Sequence, residues 1–271
     1  MRNILWITLL AVACNKGGTQ GGGGSGSAST AEAASLQQTL YDTSGVTPTV
    51  EAQLTFNYQY NNNGQETYAL ESVSENLGGN TPSDFLDTVT ITYTPTLVTL
   101  TGLSEVGTTL VDVQILYYLN SGGTEIDSSV TKETAGGTVE SPAEGKYSYN
   151  NGLVSEIDSY SKEVLTGKTI YSYSGNDVTT VETQGPAGQV YRIDTYTYGA
   201  GTGNFDLNSI SFSPILLHQA VDLPKSMSSL IDGVTTVVNF TYTFDSQKRI
   251  SGITATSGSG KLYEQDYNVV Y

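Results

Sequence analysis

Few residues in this chain carry chemistry of their own, and they are far apart. His218 is the only histidine, so a Ser-His-Asp triad would have to be built on it. No Gly-x-Ser-x-Gly elbow accompanies it. Leu216 and Leu217 beside it mark a packed or rim position. Zinc needs a cluster of cysteine and histidine ligands, which His218 and the single cysteine, Cys14, do not supply. Asn61-Asn62-Asn63-Gly64 lacks the carboxylates of a calcium loop and reads as a turn, because Asn and Gly tolerate positive φ. The 27 acidic residues offer many pairs for glycosidase-type acid–base work, but sequence fixes no separation between any two. No phosphate-cradling loop or dinucleotide fingerprint is present. The expectation is a non-enzymatic protein with no catalytic residue, metal or cofactor.

Two residues remain as candidates for a specific role, Tyr118 and Cys14. Tyrosine rings stack on sugars when they face solvent, and the chain holds 19 of them. Tyr58, Tyr60, Tyr117 and Tyr242 alternate in phase with aliphatic residues and read as core. Tyr118 shares its strand face with Asp112 and Gln114, which makes it the candidate ligand contact.

Cys14 ends an export leader: a positive charge at Arg2, an apolar stretch from Ile4 to Val12, and the small residue Ala13. Residues 1–13 are too short to span a bilayer as a helix and read as a signal peptide. Ala11-Val12-Ala13-Cys14 resembles the bacterial lipobox, which implies that Cys14 is lipidated and becomes the new N-terminus. As the only cysteine of an exported chain, it has no intramolecular disulfide partner. Several acyl chains, at about 0.8 kcal/mol per buried methylene, anchor a protein stably. Residues 14–30 then form a Gly/Ser tether with a reach of about 20–25 Å. Residues 31–49 are expected to be a short amphipathic helix or a disordered lead-in.

Residues 50–271 must position whatever site exists, and their pattern is that of strands. Val50, Ala52, Leu54, Phe56, Tyr58 and Tyr60 fall on one face, with Glu51, Gln53, Thr55, Asn57 and Gln59 on the other. Val111 to Tyr118 and Val234 to Phe244 alternate likewise, and Asn120-Ser121-Gly122-Gly123 supplies a hairpin turn. Tyr147/Tyr149, Tyr171/Tyr173 and Tyr196/Tyr198 recur at intervals of 24 and 25 residues, the length of two strands and two turns. With no room for crossover helices, the fold class is all-β. It should be a single-domain antiparallel up-and-down meander of roughly 12–16 strands, a curved sheet or barrel-like. One exception is expected at Ser213 to Gly233. There Ser213 and Pro214 read as a helix start and Asp222-Leu223-Pro224 as its stop, giving a short helical insertion over Ile215–Val221.

The aromatic-x-aromatic-turn pattern resembles the tyrosine-aspartate repeats of bacterial wall-associated proteins. Phe240-Thr241-Tyr242-Thr243-Phe244-Asp245 carries the acidic residue after its aromatics, and the other copies do not. From about Val50 to Tyr271 the chain is more similar to small secreted lipoproteins of gut-type bacteria. Those carry a degenerate form of the repeat and are grouped as a domain of unknown function with a porin-like sheet. The resemblance implies a porin-like sheet and no defined activity. Net charge is −16, spread along the chain, which repels nucleic-acid phosphates and anionic headgroups. Together these features describe a lipoprotein of the bacterial outer membrane, on its periplasmic or cell-surface face. Its lipid on Cys14 holds the membrane, and its body binds a glycan or an envelope protein or is structural. A β-barrel or pore-type protein of the outer membrane is the alternative, because alternating strands and a terminal Tyr271 also suit one.

Overall fold

Strict alternation with tight turns leaves a strand only one way to satisfy its backbone: pairing with its chain neighbours. The computed structural model describes residues 35–42, 49–60, 66–75, 84–106, 109–135, 138–139, 142–199, 223–246, 250–257 and 265–270. They form 17 strands in one sheet. The first eight are β1 (Ser35–Asp42), β2 (Thr49–Tyr60), β3 (Glu66–Glu75), β4 (Asp84–Thr94), β5 (Leu97–Val106), β6 (Thr109–Leu119), β7 (Ile126–Ala135) and the two-residue β8 (Thr138–Val139). The tyrosine-rich half follows as β9 (Ala143–Asn150), β10 (Leu153–Ser161), β11 (Val164–Ser174), β12 (Asp177–Gln184) and β13 (Val190–Tyr198). Last come β14 (Pro224–Ile231), β15 (Val234–Phe244), β16 (Ile250–Ser257) and β17 (Gln265–Val270).

Every pairing is antiparallel. Consecutive strands pair in order, β9 lies against both β7 and β10, and β8 only extends the end of β7. At the other seam β1 pairs with β2 and also with β17, where Ser35 faces Val270. The circuit of pairings thus returns to its starting strand, which removes the exposed edge that an open sheet would present. This is the expected antiparallel meander, with 17 strands where roughly 12–16 were expected.

The period of two separates the faces. Ile91, Val98 and Leu100 are buried and packed by Val89, Tyr93, Ile115, Tyr117 and Leu119. The same core face continues through Val111, Val154, Val178, Met227, Ile253 and Ala255. Thr90, Thr92, Thr101, Asp112, Lys146 and Ser148, on the opposite face, are exposed. Turn chemistry fixes the register. Asn151-Gly152 and Asp232-Gly233 place both central residues at positive φ (53° and 78°, 49° and 79°), the hairpin geometry that matches strand twist. Lys162-Glu163 does the same at 51° and 64°, with residues poorly suited to it.

Two expectations need correction. Ser35–Asp42 is a strand, not a helix or disordered lead-in, so the sheet begins before residue 50. Pairing on both sides, with β2 and β17, outweighs the local helical preference of Leu36, Gln37 and Gln38. Pro224–Ile231 is also a strand rather than part of an insertion running to Gly233. Its proline sits at the first position, where a missing N–H is tolerated. The expected helix at Ile215–Val221, together with Cys14, the Gly/Ser tether and His218, lies outside the described residues.

Candidate functional site

Alternate strands, β9, β11, β13 and then β15, carry near their ends a tyrosine on the core face, and its hydroxyl has a fixed task. Tyr173 on β11 donates to the Val154 carbonyl at 2.7 Å, and Tyr198 on β13 donates to that of Val178 at 2.7 Å. Tyr242 on β15 donates to the Pro224 carbonyl at 2.7 Å. Tyr149 on β9 donates to the Ile126 carbonyl at 3.1 Å and accepts the Ile126 N–H at 2.8 Å. The acceptor is always at the start of the neighbouring strand, so each phenol ties a hairpin at its open end. Ile126, Val154 and Val178 are themselves buried. The sequence repeat is therefore a hairpin with a built-in tie.

Burial keeps these phenols protonated. It pushes Tyr149 and Tyr173 up to about 12, and raises Tyr198 and Tyr242 as well. One alternation inward, Tyr117, Tyr147 and Tyr171 are raised by the same loss of hydration, and Tyr196 is pushed up to about 12. Neutral phenols at these positions pack and donate hydrogen bonds; they do not serve as bases near neutral pH.

The core face also holds charge, on β13, with a buried serine facing it from β14. Arg192 Nε donates to Asp194 Oδ1 at 2.9 Å and lies 2.8 Å from Oδ2. Asp194 is 7% exposed, and register places it opposite Val181 on one side and Ser229 on the other. Ser229 is 5% exposed, and among the described residues its Oγ has no hydrogen-bond partner. Tyr196 senses both charges: the Asp194 carboxylate adds to the effect of burial, and Arg192 opposes it.

A second constellation lies on the exposed face. Register lines up Leu97, Tyr118, Ser128, Lys146, Asp158 and Lys168 across β5, β6, β7, β9, β10 and β11. Tyr118 is 41% exposed, as its position among polar neighbours requires. Lys168 contacts Glu156 at 2.7 Å and Asp158 at 3.0 Å, and those hydrogen bonds raise its pKa. The Lys146 ammonium sits 4.7 Å from the centroid of the Tyr160 ring, a cation–π contact. A cavity of about 480 Å³ opens between the β9–β10 and β11–β12 turns, lined by Asn150, Asn151, Ser155, Ser172 and Asn176 among others.

Sequence reasoning singled out Tyr118 but missed its row, because pairing partners are far apart in the chain. It missed Arg192, Asp194 and Ser229 altogether. The available signal was the interval of two in Arg192, Asp194, Tyr196 and Tyr198, which puts the charged pair on the tyrosine face. Among the described residues no group of three or more His, Cys, Asp and Glu side chains could hold a metal ion.

No family model matches the chain, and neither does any curated protein. Solved structures do match. A porin-like protein from Bacteroides uniformis superimposes with a TM-score of 0.63 at 15% identity, over 88% of this chain and 96% of that one. The sheet is porin-like. A second porin-like protein, from Bacteroides vulgatus, gives a TM-score of 0.54 at 13% identity, over 89% of this chain and 99% of its own. The porin-like sheet implied by the sequence resemblance is thus found, and at this identity the likeness is one of fold.

Proposed function

We propose that this protein is a lipid-anchored, non-enzymatic envelope protein whose porin-like body binds a glycan. Export and anchoring rest on the leader ending at Cys14 and on the Gly/Ser run that follows it. The observation that carries the binding role is the register row on the exposed face. It sets an exposed aromatic ring, Tyr118, in line with Ser128, Lys146, Asp158 and Lys168. A ring face flanked by a row of hydrogen-bonding groups suits an extended sugar chain. The outer-membrane barrel is less well supported. A spanning barrel turns an apolar band to lipid, whereas the exposed face here carries Thr90, Thr92, Asp112, Lys146 and Ser148.

Metabolic labelling with a fatty acid tests the anchor. Label is expected on the wild type and not on Cys14→Ser, and label on neither would mean simple secretion. A chain beginning at Ala31 keeps all 17 strands and is expected to stay in solution without detergent. Precipitation relieved by detergent would favour the spanning reading. For the ligand, Tyr118→Ala should reduce retention on immobilised envelope or dietary polysaccharides at least several-fold with unchanged circular dichroism. Undiminished retention would move the site off this row.

A further inference from the structure

Strand β13 carries an ion pair on a face whose buried side chains are otherwise, Ser229 apart, apolar among the described residues. Arg192 and Asp194 both lose hydration there, and their attraction offsets only part of that loss; two apolar residues of similar volume would pack at least as well. Asp194 engages Arg192 through Nε, at 2.9 Å to Oδ1 and 2.8 Å to Oδ2, which orients the guanidinium and leaves its Nη donors outside that contact. The Arg192 side chain keeps 30% of its surface exposed, so a solute can reach it. Across the ladder from Asp194, the Ser229 hydroxyl is buried and unpartnered among the described residues. A hydroxyl in that state costs stability, and a ligand oxygen admitted beside Arg192 would satisfy it.

We infer that Arg192, held by Asp194, together with Ser229 forms a binding site for a small hydroxylated carboxylate. A planar guanidinium matches a carboxylate through paired N–H donors. The net charge of −16 opposes multiply charged anions such as phosphates and tolerates a single negative charge. Thr183, which pairs with Arg192, and Tyr196, within electrostatic reach of the pair, supply further hydroxyls for a polyhydroxylated ligand. A uronate fits that description. The inference deepens the binding half of the proposed function and is independent of Cys14. Loss of fatty-acid label would remove the anchor and leave this site standing.

Titration calorimetry of the full-length protein with D-glucuronate, and with D-glucose as the neutral control, tests the site. Glucuronate is expected to bind at least tenfold more tightly than glucose, and Arg192→Lys to weaken it several-fold by losing the fork. Ser229→Ala should raise the melting temperature while weakening glucuronate, a pairing of effects that a purely structural serine would not give. Arg192→Met leaves Asp194 unpaired and risks the fold, so the double variant Arg192→Met/Asp194→Leu serves as the loss-of-site control, with folding checked by circular dichroism. Equal affinity for glucuronate and glucose, or undiminished glucuronate binding in the folded double variant, would overturn the assignment.

Discussion

A phenol that donates a hydrogen bond to a neighbour's carbonyl is a structural part, and its removal should be felt as such. Tyr173→Phe keeps the ring but leaves the Val154 carbonyl without its 2.7 Å donor. The expected loss is about 1–3 kcal/mol, read as a lower urea midpoint at unchanged slope. The same phenols set an alkaline limit. Their folded values are raised to about 12 at Tyr149, Tyr173 and Tyr196, from an ordinary value of 10.0. Between those two values the unfolded chain has released protons that the folded chain retains. Stability is therefore intact below pH 10 and falls as pH rises towards 12. Tyrosinate absorbance should rise in one cooperative step with loss of the β signal; gradual ionisation without unfolding would show that the phenols are accessible. At this scale the sequence displayed the tyrosine pairs and their phase with aliphatics. It could not display their acceptors, which lie 18 to 23 residues away and meet them only through pairing.

Elements were legible where the alternation was long and one face almost wholly apolar, as in β2, β6 and β15. Those strands need only their own residues to be recognised. β1 and β14 were not legible, since Ser35–Asp42 carries polar residues on both faces and Pro224–Ile231 opens with a proline. Both become strands because a ladder on each side is waiting for them. Turns follow the same logic. The β10–β11 connection holds Lys162 and Glu163 at positive φ, where Asn-Gly would be comfortable. Lys162→Asn with Glu163→Gly should stabilise the protein by about 1 kcal/mol or more, visible as a higher melting temperature. No gain would mean that Lys162 or Glu163 makes compensating contacts elsewhere.

The whole molecule depends on its seam. Removing residues 1–42 deletes β1 and leaves β2 and β17 each unpaired along one edge, whereas removing 1–30 leaves the circuit complete. The shorter chain is expected to self-associate through those edges, as a mass increase in light scattering behind size exclusion. A monodisperse monomer would mean that β2 and β17 meet without β1. Global architecture was visible from the repeat interval and the absence of room for helices; the seam was not, because it joins the first strand to the last. That seam has a topological consequence. Ser35 faces Val270 and the strands pair with their neighbours in chain order around the circuit, so nothing in the pairing pattern marks where the chain has to begin. The order of strands is in effect circular. Joining the two ends with a short linker and opening the chain at Asn151-Gly152 should give a circular permutant with the same ladder, read as an unchanged far-ultraviolet β signal.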